Sequence, residues 1–352
     1  MRVLVTGGAG FIGRNVVEAL VAGGHEVRVL DALLPHVHPA GSPPKFPDGV
    51  EFRHGDLRDE STVVSALRGV DAVCHQAAMV GRGKEIRDAA RYVTCNDLAT
   101  ARLVTAMTEL GLGKLVLGSS VVIYGDSRYD CPVHGRVRPG RRPKEALDAG
   151  RFEVTCPECG LTVVDSPVEE DDPLDPPRNV YAVTKLAQEH LAGAWARETG
   201  SQAIALRYHN VYGPEMPPGS PYSGVTAVFR TAVDRGTAAR VFEDGKPCRD
   251  FIHVRDIATA NVAALTAAST GFRAFNVATG DPRSIAEVAA ALAAAAGTPP
   301  PVITGEYRIG DVRHIVASPN RIKAELGWLP STGFDEGMAE FARAPMRAPV
   351  PV

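Results

Sequence analysis

The first thirteen residues constrain this chain more than any other stretch: Met-Arg-Val-Leu-Val-Thr-Gly-Gly-Ala-Gly-Phe-Ile-Gly. The apolar run at 2–5 predicts a short buried strand. Gly7, Gly10 and Gly13 form a G-x-x-G-x-x-G turn, and Val16, Val17, Leu20 and Val21 recur at helical spacing over 14–22. A strand that enters a helix through a glycine turn leaves backbone N–H groups at the helix N-terminus. Gly7, Gly10, Phe11, Ile12 and Gly13 are therefore candidates to hold a dinucleotide pyrophosphate. Glycine is required because a Cβ would block backbone from phosphate and helix from strand. A second strand over 26–30 ends in Asp31. An acid about 20 residues past such glycines accepts hydrogen bonds from an adenosine ribose and repels a 2′-phosphate, so NAD is favoured over NADP. A tight turn without a ligand is the competing reading; the ordered series of strand, turn, helix, strand and acid argues against it.

The same alternation continues. Strands are predicted at 50–54, 72–75, 114–117 and 204–207, with helices at 62–67 and 91–110 between them, the pattern of a doubly wound parallel sheet. Asp56 and Leu57 follow the third strand, where they would flank an adenine; Asp56 as a helix N-cap is the alternative. Ala77 and Ala78 follow the fourth strand and are small enough for a cofactor to lie against it. Asn96 sits on the long helix, and the fifth strand runs into Ser119-Ser120.

The chemistry is expected at Tyr181-Ala-Val-Thr-Lys185, whose first and last residues share a helix face. A lysine ammonium beside a phenol favours the phenolate and lowers its pKa from about 10. Such a tyrosine takes a proton from a sugar hydroxyl while hydride leaves the same carbon for a nicotinamide. Ser120 would hydrogen-bond the same oxygen. Alone, a Y-x-x-x-K match is a common surface pair; its place after a dinucleotide half-domain and a serine-ended strand supports catalysis.

At this point the chain resembles the extended short-chain dehydrogenase/reductases, in their nucleotide-sugar epimerase and dehydratase branch. The resemblance covers about 1–130 and 166–330. It rests on Thr6 to Gly13, Gly55-Asp-Leu57, Ser119-Ser120 with Tyr124-Gly125, Tyr181 to Lys185, Leu206-Arg-Tyr-His-Asn-Val-Tyr-Gly-Pro214, Arg249-Asp-Phe-Ile-His-Val254 and Arg308-Ile-Gly-Asp311. It implies a Rossmann-type α/β fold with a smaller C-terminal substrate lobe and a homodimer formed through 91–110 and 180–198. NAD would be held by Asn96, Tyr181, Lys185 and Tyr208 as well as the glycine turn. It implies that Ser120 and Asn210 contact the nucleotide sugar, and that Arg249 and Arg308, with Asp311 nearby, hold its diphosphate or ribose. A surface pair between Arg249 and Asp250 is the plainer reading. Dehydratases of this family carry an acid pair after the catalytic serine or threonine, where this chain has Val121-Val122. Chemistry at a single carbon remains. His209 and Ser318 also depart from the family's usual Phe and Asp; His209 reads as a packed ring or as a donor into the pocket.

Between Tyr124 and Tyr181 lies an insertion with Cys131-Pro-Val-His134-Gly and Cys156-Pro-Glu-Cys159-Gly. Two such knuckles have zinc-ribbon spacing, and four ligands imply a structural ion with no open position. A disulfide or free thiols are the alternatives. The organisation expected is 1–128 and 166–210 for the dinucleotide domain, 129–165 for the zinc-binding insert, 211–341 mainly for the substrate lobe (a part near 250–270 returning to the first domain), and 342–352 as a flexible tail.

The chain has 352 residues, and its net charge of −3 gives no reason to expect nucleic acid or an anionic membrane as a partner. No apolar run approaches the ~20 residues of a membrane span. Met1 leads straight into a strand, so no secretory leader is expected; with six cysteines in a chain this size, the cytoplasm is the expected compartment. Together with these residues, the resemblance implies an NAD-dependent nucleotide-sugar 4-epimerase, oxidising C4 transiently with Tyr181 as acid and base. An NAD(P)H-dependent 4-ketoreductase, separable by net cofactor consumption, and a non-enzymatic dinucleotide-sensing protein are the alternatives.

Overall fold

A computed structural model describes residues 1–35, 37–38, 41, 43–81, 86–218 and 224–347. Seven strands form one parallel sheet: β1 (Arg2–Thr6), β2 (Glu26–Asp31), β3 (Glu51–His54), β4 (Ala72–His75), β5 (Lys114–Ser120), β6 (Gln202–Tyr208) and β7 (Gly271–Val277), in the order β7-β6-β5-β4-β1-β2-β3. The chain winds outward from β1 through β2 to β3, then crosses to β4 on the other side of β1. That reversal opens a crevice at the carboxyl ends of β1 and β4, where open α/β sheets bind ligands. Register aligns those ends: Thr6 lies opposite Leu30 and His75, Ser120 opposite Tyr208, and Tyr208 opposite Val277.

Alternation along β1 explains the two layers. Val3 and Val5 face one core, with Val16, Val17 and Leu20 of helix Phe11–Ala22 and Ile257, Ala260 and Ala264 of helix Val254–Thr266. Leu4 faces the other, with Leu67, Leu103, Met107, Ala192 and Trp195 from helices Glu60–Leu67, Ala99–Glu109 and Val180–Thr199. Both faces are covered, so the strands read as apolar runs rather than alternating ones. A third core, around Tyr212, Phe229, Val241, Leu292, Met338 and Phe341, builds a second lobe from helices Val225–Asp234, Ile285–Ala296 and Phe334–Arg343. Ser284 opens the middle one with a capping box to Glu287.

Three expectations change. The helix expected over 91–110 is broken by a π turn, Val93–Leu98, between Ala89–Tyr92 and Ala99–Glu109. Asp59, not Asp56, caps Glu60–Leu67; Asp56 pairs instead with Arg58 at 2.7 Å. The tail is not free throughout: the Glu215 N–H donates to the Pro345 carbonyl (2.9 Å), and the Arg347 N–H to that of Met216 (3.2 Å). Only 348–352 of the expected tail, and 219–223 of the loop before Val225, lie outside the described residues. Helix Phe334–Arg343 escaped the sequence reading because Gly337 interrupts it; a Cβ there would stand 2.1 Å from the Tyr212 hydroxyl.

The glycine turn is the tightest backbone approach in the sheet. Gly7 has φ +67°, and a Cβ on it would lie 2.6 Å from the Ala77 nitrogen; a Cβ on Gly13 would lie 2.1 Å from the Gly7 carbonyl oxygen. Neither neighbour is a side chain that can swing away. Gly13→Ala is expected to destabilise the protein by about 1–3 kcal/mol in urea unfolding, the usual cost of forcing extra atoms into a packed site, and to weaken NAD binding with it. An unchanged unfolding midpoint would show that the turn can relax.

Candidate active site and metal-binding cluster

At the end of β1 the chain turns through Gly7 to Gly10 into helix Phe11–Ala22. Gly10 is its N-cap, with no side chain to occupy the first N–H groups and no acid in the first turn. A Cβ on Gly10 would meet only the Gly7 oxygen, at 3.1 Å, so the space beyond is open. This is a cradle that fits a dinucleotide pyrophosphate. Asp31, at the end of β2, accepts from the Ala9 N–H (3.0 Å) and the Leu33 N–H (2.9 Å), and so fixes the turn. Ala77 backs the turn, its N–H donating to Thr6 Oγ1 at 3.3 Å; Ala78 beside it is half-buried.

Other expected cofactor residues are partly spent elsewhere. Leu57 packs in the core, which leaves its backbone rather than its side chain for a ligand. Asp56 is held by Arg58, which with burial acting against it keeps the carboxyl below its usual range. Asn96 lies in the π turn, fully buried; its amide accepts from Met79 N (2.7 Å) and donates to Met79 O (3.1 Å) and Thr184 Oγ1 (2.9 Å), tying the segment after β4 to helix Val180–Thr199. Tyr208, expected against the cofactor, is a core residue whose phenol is shared between Gln76 (3.1 Å) and Asn261 (3.0 Å).

Helix Val180–Thr199 starts at Asn179, whose side chain accepts from the Ala182 N–H at 2.9 Å. Its first turn brings Tyr181 toward Ser120 at the end of β5, close enough for the serine to draw the phenol's pKa down. The Tyr92 ring lies 6.3 Å away. The expected lowering of the phenol pKa is corrected here. Burial pushes Tyr181 up to about 12, against the pull of the Ser120 hydrogen bond. Lys185 does not offset it: its ammonium donates to the Gly118 carbonyl at 2.7 Å, and burial lowers its own pKa to about 8. The oxidised nicotinamide ring of a bound dinucleotide is the part that could supply a positive charge here.

Behind the pair runs a buried network that the sequence reading missed. Thr6 Oγ1 meets His75 Nδ1 (2.7 Å), His75 Nε2 meets Thr100 Oγ1 (2.9 Å), and Gln188 Nε2 donates to Thr100 Oγ1 (2.7 Å). Burial, with Lys185 adding to it, drops the His75 pKa to about 3, so the ring is neutral. Ser119 and Arg207 both donate to the Glu189 carboxylate, and Arg207 also reaches the Tyr124 hydroxyl at 2.9 Å. His75 and Glu189 occur in runs of ordinary helix and strand residues, and only the fold brings their partners together.

On the second lobe, Arg249 donates to the carbonyls of Cys248, Val312 and Arg313 at 2.6–2.9 Å. Asp250 is fully buried and accepts instead from Thr279 and Gly280, both at 2.8 Å, so the surface pair of Arg249 with Asp250 is not formed. Arg308 is exposed and stacks on Phe242 at 4.9 Å. Asn210 donates to the Asp250 carbonyl at 3.0 Å. Asp311 lies within electrostatic range of Arg249 and Arg178 and lines a cavity with Asp126, Tyr129 and Arg142. His209 is buried with neither ring nitrogen bonded, and burial drops its pKa to about 3, the behaviour of a packed neutral ring.

The insert forms a small antiparallel sheet of Gly135–Val137, Arg128–Cys131 and Val164–Ser166. It gathers Cys131, His134, Cys156 and Cys159, with their ligand atoms all within 4.8 Å of one another. The Cys131 and Cys159 sulfurs are 3.7 Å apart, and His134 Nδ1 is 3.7 Å from Cys131 and 3.4 Å from Cys156. A tetrahedral ion with zinc-like bond lengths needs edges of about 3.8 Å between sulfurs and about 3.5 Å between sulfur and nitrogen. His134 Nε2 faces Glu158 at 3.8 Å, the orienting partner a metal-bound imidazole usually has. The cysteines are unbridged.

Comparison with known proteins agrees with this geometry. The NAD dependent epimerase/dehydratase family profile matches residues 3–143 and 155–278, and the gap falls inside the insert. The dTDP-L-rhamnose 4-epimerase of Burkholderia thailandensis is 33% identical over 344 residues, 96% of this chain and 93% of that protein. The UDP-glucose 4-epimerase of Mycolicibacterium smegmatis is 32% identical, covering 97% of each. The structure of Thermus thermophilus UDP-glucose 4-epimerase in complex with NAD superposes with a TM-score of 0.76 at 33% identity, over 97% of this chain and 98% of that one.

The titration of Tyr181 gives a direct check. In the NAD-free protein its phenolate absorbance, taken as the difference from Tyr181→Phe, is expected to rise near pH 12; with NAD bound the midpoint is expected to fall. The sign for stability follows. The folded pKa lies above the usual ~10, so this phenol's contribution is present below pH 10 and is lost between 10 and 12. A midpoint near 10 without NAD would contradict the burial argument.

Proposed function

This chain belongs to the NAD dependent epimerase/dehydratase family, and from that footing we propose that it is an NAD-dependent nucleotide-sugar 4-epimerase. The observation that carries the reading is the Ser120–Tyr181 pair at the carboxyl edge of the sheet, beside the open glycine cradle and followed by Val121-Val122. Gly7 to Gly13 and Asp31 would hold the dinucleotide, with Lys185 toward its nicotinamide end. NAD, held there, would supply the hydride acceptor for C4 and, once reduced, the donor for its return to the opposite face. Tyr181 takes the proton of the 4-hydroxyl as the hydride leaves and gives it back at the end. Ser120 donates to the same oxygen and holds it against the phenol. Asn210, Arg249, Arg308 and Asp311 would bind the nucleotide diphosphate and leave the sugar free to present its other face. The valines at 121 and 122 have no proton to move, so water elimination at C5 and C6 has no base.

The cysteine–histidine cluster is assigned to one structural zinc ion. Its four donors leave no position for substrate. The insert it would fold braces the substrate lobe: Arg142 forks onto Glu243 (2.7 and 2.8 Å) and donates to the Asp311 carbonyl (2.9 Å), while Arg313, fully buried, meets Glu243 and Asp244. A homodimer through the helices around 91–110 and 180–198 fits the exposed Val93, Leu98 and Val183 on them. Unbridged cysteines fit a reducing, cytoplasmic setting; no helix among the described residues is long and apolar enough to cross a membrane.

Two experiments follow. Purified protein, incubated with a panel of nucleotide sugars and no added cofactor, is expected to invert C4 of one of them without net change in NADH. Tyr181→Phe should lower turnover by a factor of about 10²–10⁴, the range for losing a general acid–base, with NAD still bound. Inversion at near-normal rate in Tyr181→Phe would remove the phenol from the mechanism. For the insert, Cys156→Ser should release zinc, read by elemental analysis, and raise KM for the nucleotide sugar more than it changes NAD content. Wild-type protein purified without chelator and carrying less than about 0.2 zinc per chain would refute the assignment, because such sites hold their metal tightly.

A further inference from the structure

The segment after helix Phe334–Arg343 returns to the sheet rather than leaving the molecule. The carbonyls of Phe341 and Ala344 accept from the Arg230 guanidinium (2.8 and 3.0 Å), Met346 packs against the third core, and the Pro345 and Arg347 backbones bond to Glu215 and Met216. These contacts bring Arg347 onto the glycine turn, 338 positions earlier in the chain. Its Nη2 donates to the Ala9 carbonyl at 3.1 Å. Ala9 is also the residue whose N–H binds Asp31 at 3.0 Å. One peptide segment of the turn thus separates the Arg347 guanidinium from the acid expected on the adenosine ribose. The second terminal nitrogen, Nη1, is buried and has no hydrogen-bond partner. A buried guanidinium nitrogen without an acceptor is costly, and the charges that act on it, Glu215, Arg14 and Asp31, do not bond it. Asp31 alone offers only acceptors to a ligand; Arg347 adds a fork of donors beside it.

We propose that Arg347 is a further dinucleotide-binding residue, which closes the adenosine-ribose end of the site from the C-terminal side and slows release of NAD. The inference rests on the reading of the glycine turn as an NAD site. Asp31 would accept from a ribose hydroxyl while Arg347 Nη1 donates to an oxygen of the same ribose or the adjoining phosphate. An epimerase returns the hydride it takes and has no need to exchange NAD between turnovers, so a residue that retains the dinucleotide does not slow it.

The test uses full-length wild type, Arg347→Ala and Arg347→Lys. Bound NAD per chain is measured after gel filtration, and the rate at which it exchanges with labelled NAD in solution is followed. Arg347→Ala is expected to exchange about tenfold faster or more, the effect of one lost hydrogen bond to a charged donor, with Arg347→Lys between the two. Melting temperatures of the NAD-free proteins should be equal. Exchange within about a factor of two of wild type in both variants, or faster exchange matched by a lower melting temperature without NAD, would overturn the proposal. A wild-type protein that holds no NAD at all would instead overturn the cofactor reading beneath it.

Discussion

Everything at the functional edge of this protein depends on how closely two backbones meet at the glycine turn. Gly7 lies against Ala77 at the start of the segment that follows β4, and Gly13 lies against Gly7 itself, each with no room for a methyl group. That contact sets the depth at which helix Phe11–Ala22 points its N-terminus into the crevice between β1 and β4. Asp31 and Thr6 then hold the turn from both sides, through Ala9 and through the His75–Thr100–Gln188 chain. The same chain ends on helix Val180–Thr199, so the cradle and the Tyr181 pair are positioned by one buried network rather than by separate loops.

The electrostatics follow from that burial. Tyr181 and Lys185 sit one helical turn apart, yet in the free protein each is pushed toward its neutral form, the phenol up to about 12 and the ammonium down to about 8. Neither is poised for proton transfer by the other alone. In the proposed reaction, a positive charge brought in beside the phenol would favour its ionised form, which would couple acid–base chemistry to occupation of the dinucleotide site. The second lobe is organised by charge of a different kind. Arg142 and Arg313 share Glu243 in a nearly dry cluster that joins the insert to the strand-end segment carrying Asp311. Removing one partner there would strand a buried charge, so the insert is tied to the lobe it borders.

Much of this was legible in the sequence. The order of strands, the parallel sheet, the glycine turn and the gathering of Cys131, His134, Cys156 and Cys159 all sit in local patterns, because each depends on spacing within a few residues or on strand-and-helix alternation. What the sequence hid depends on contacts between distant residues. Asn96 and Tyr208 look like cofactor contacts by resemblance, but their polar groups are used inside the fold by Met79, Thr184, Gln76 and Asn261. The influence expected of Lys185 on Tyr181 rests on helix geometry, which carries no information about burial or about the Gly118 carbonyl that competes for the ammonium. Gly337 disguised a helix because its reason is the Tyr212 hydroxyl, far away in the chain. Pro345 and Arg347 read as a loose end because their partners lie at Glu215, Met216 and Ala9.

In the proposed reaction one carbon of a sugar is oxidised and reduced again within one site. The most direct measurement follows the hydrogen at that carbon. A nucleotide sugar that the protein epimerises, carrying deuterium at C4, is incubated in ordinary water and the product is analysed by mass spectrometry and NMR. The expected product has inverted configuration at C4 with the deuterium retained there, because hydride leaves and returns without meeting solvent. Inversion with loss of the deuterium to water would mean proton abstraction from carbon, and would contradict the account.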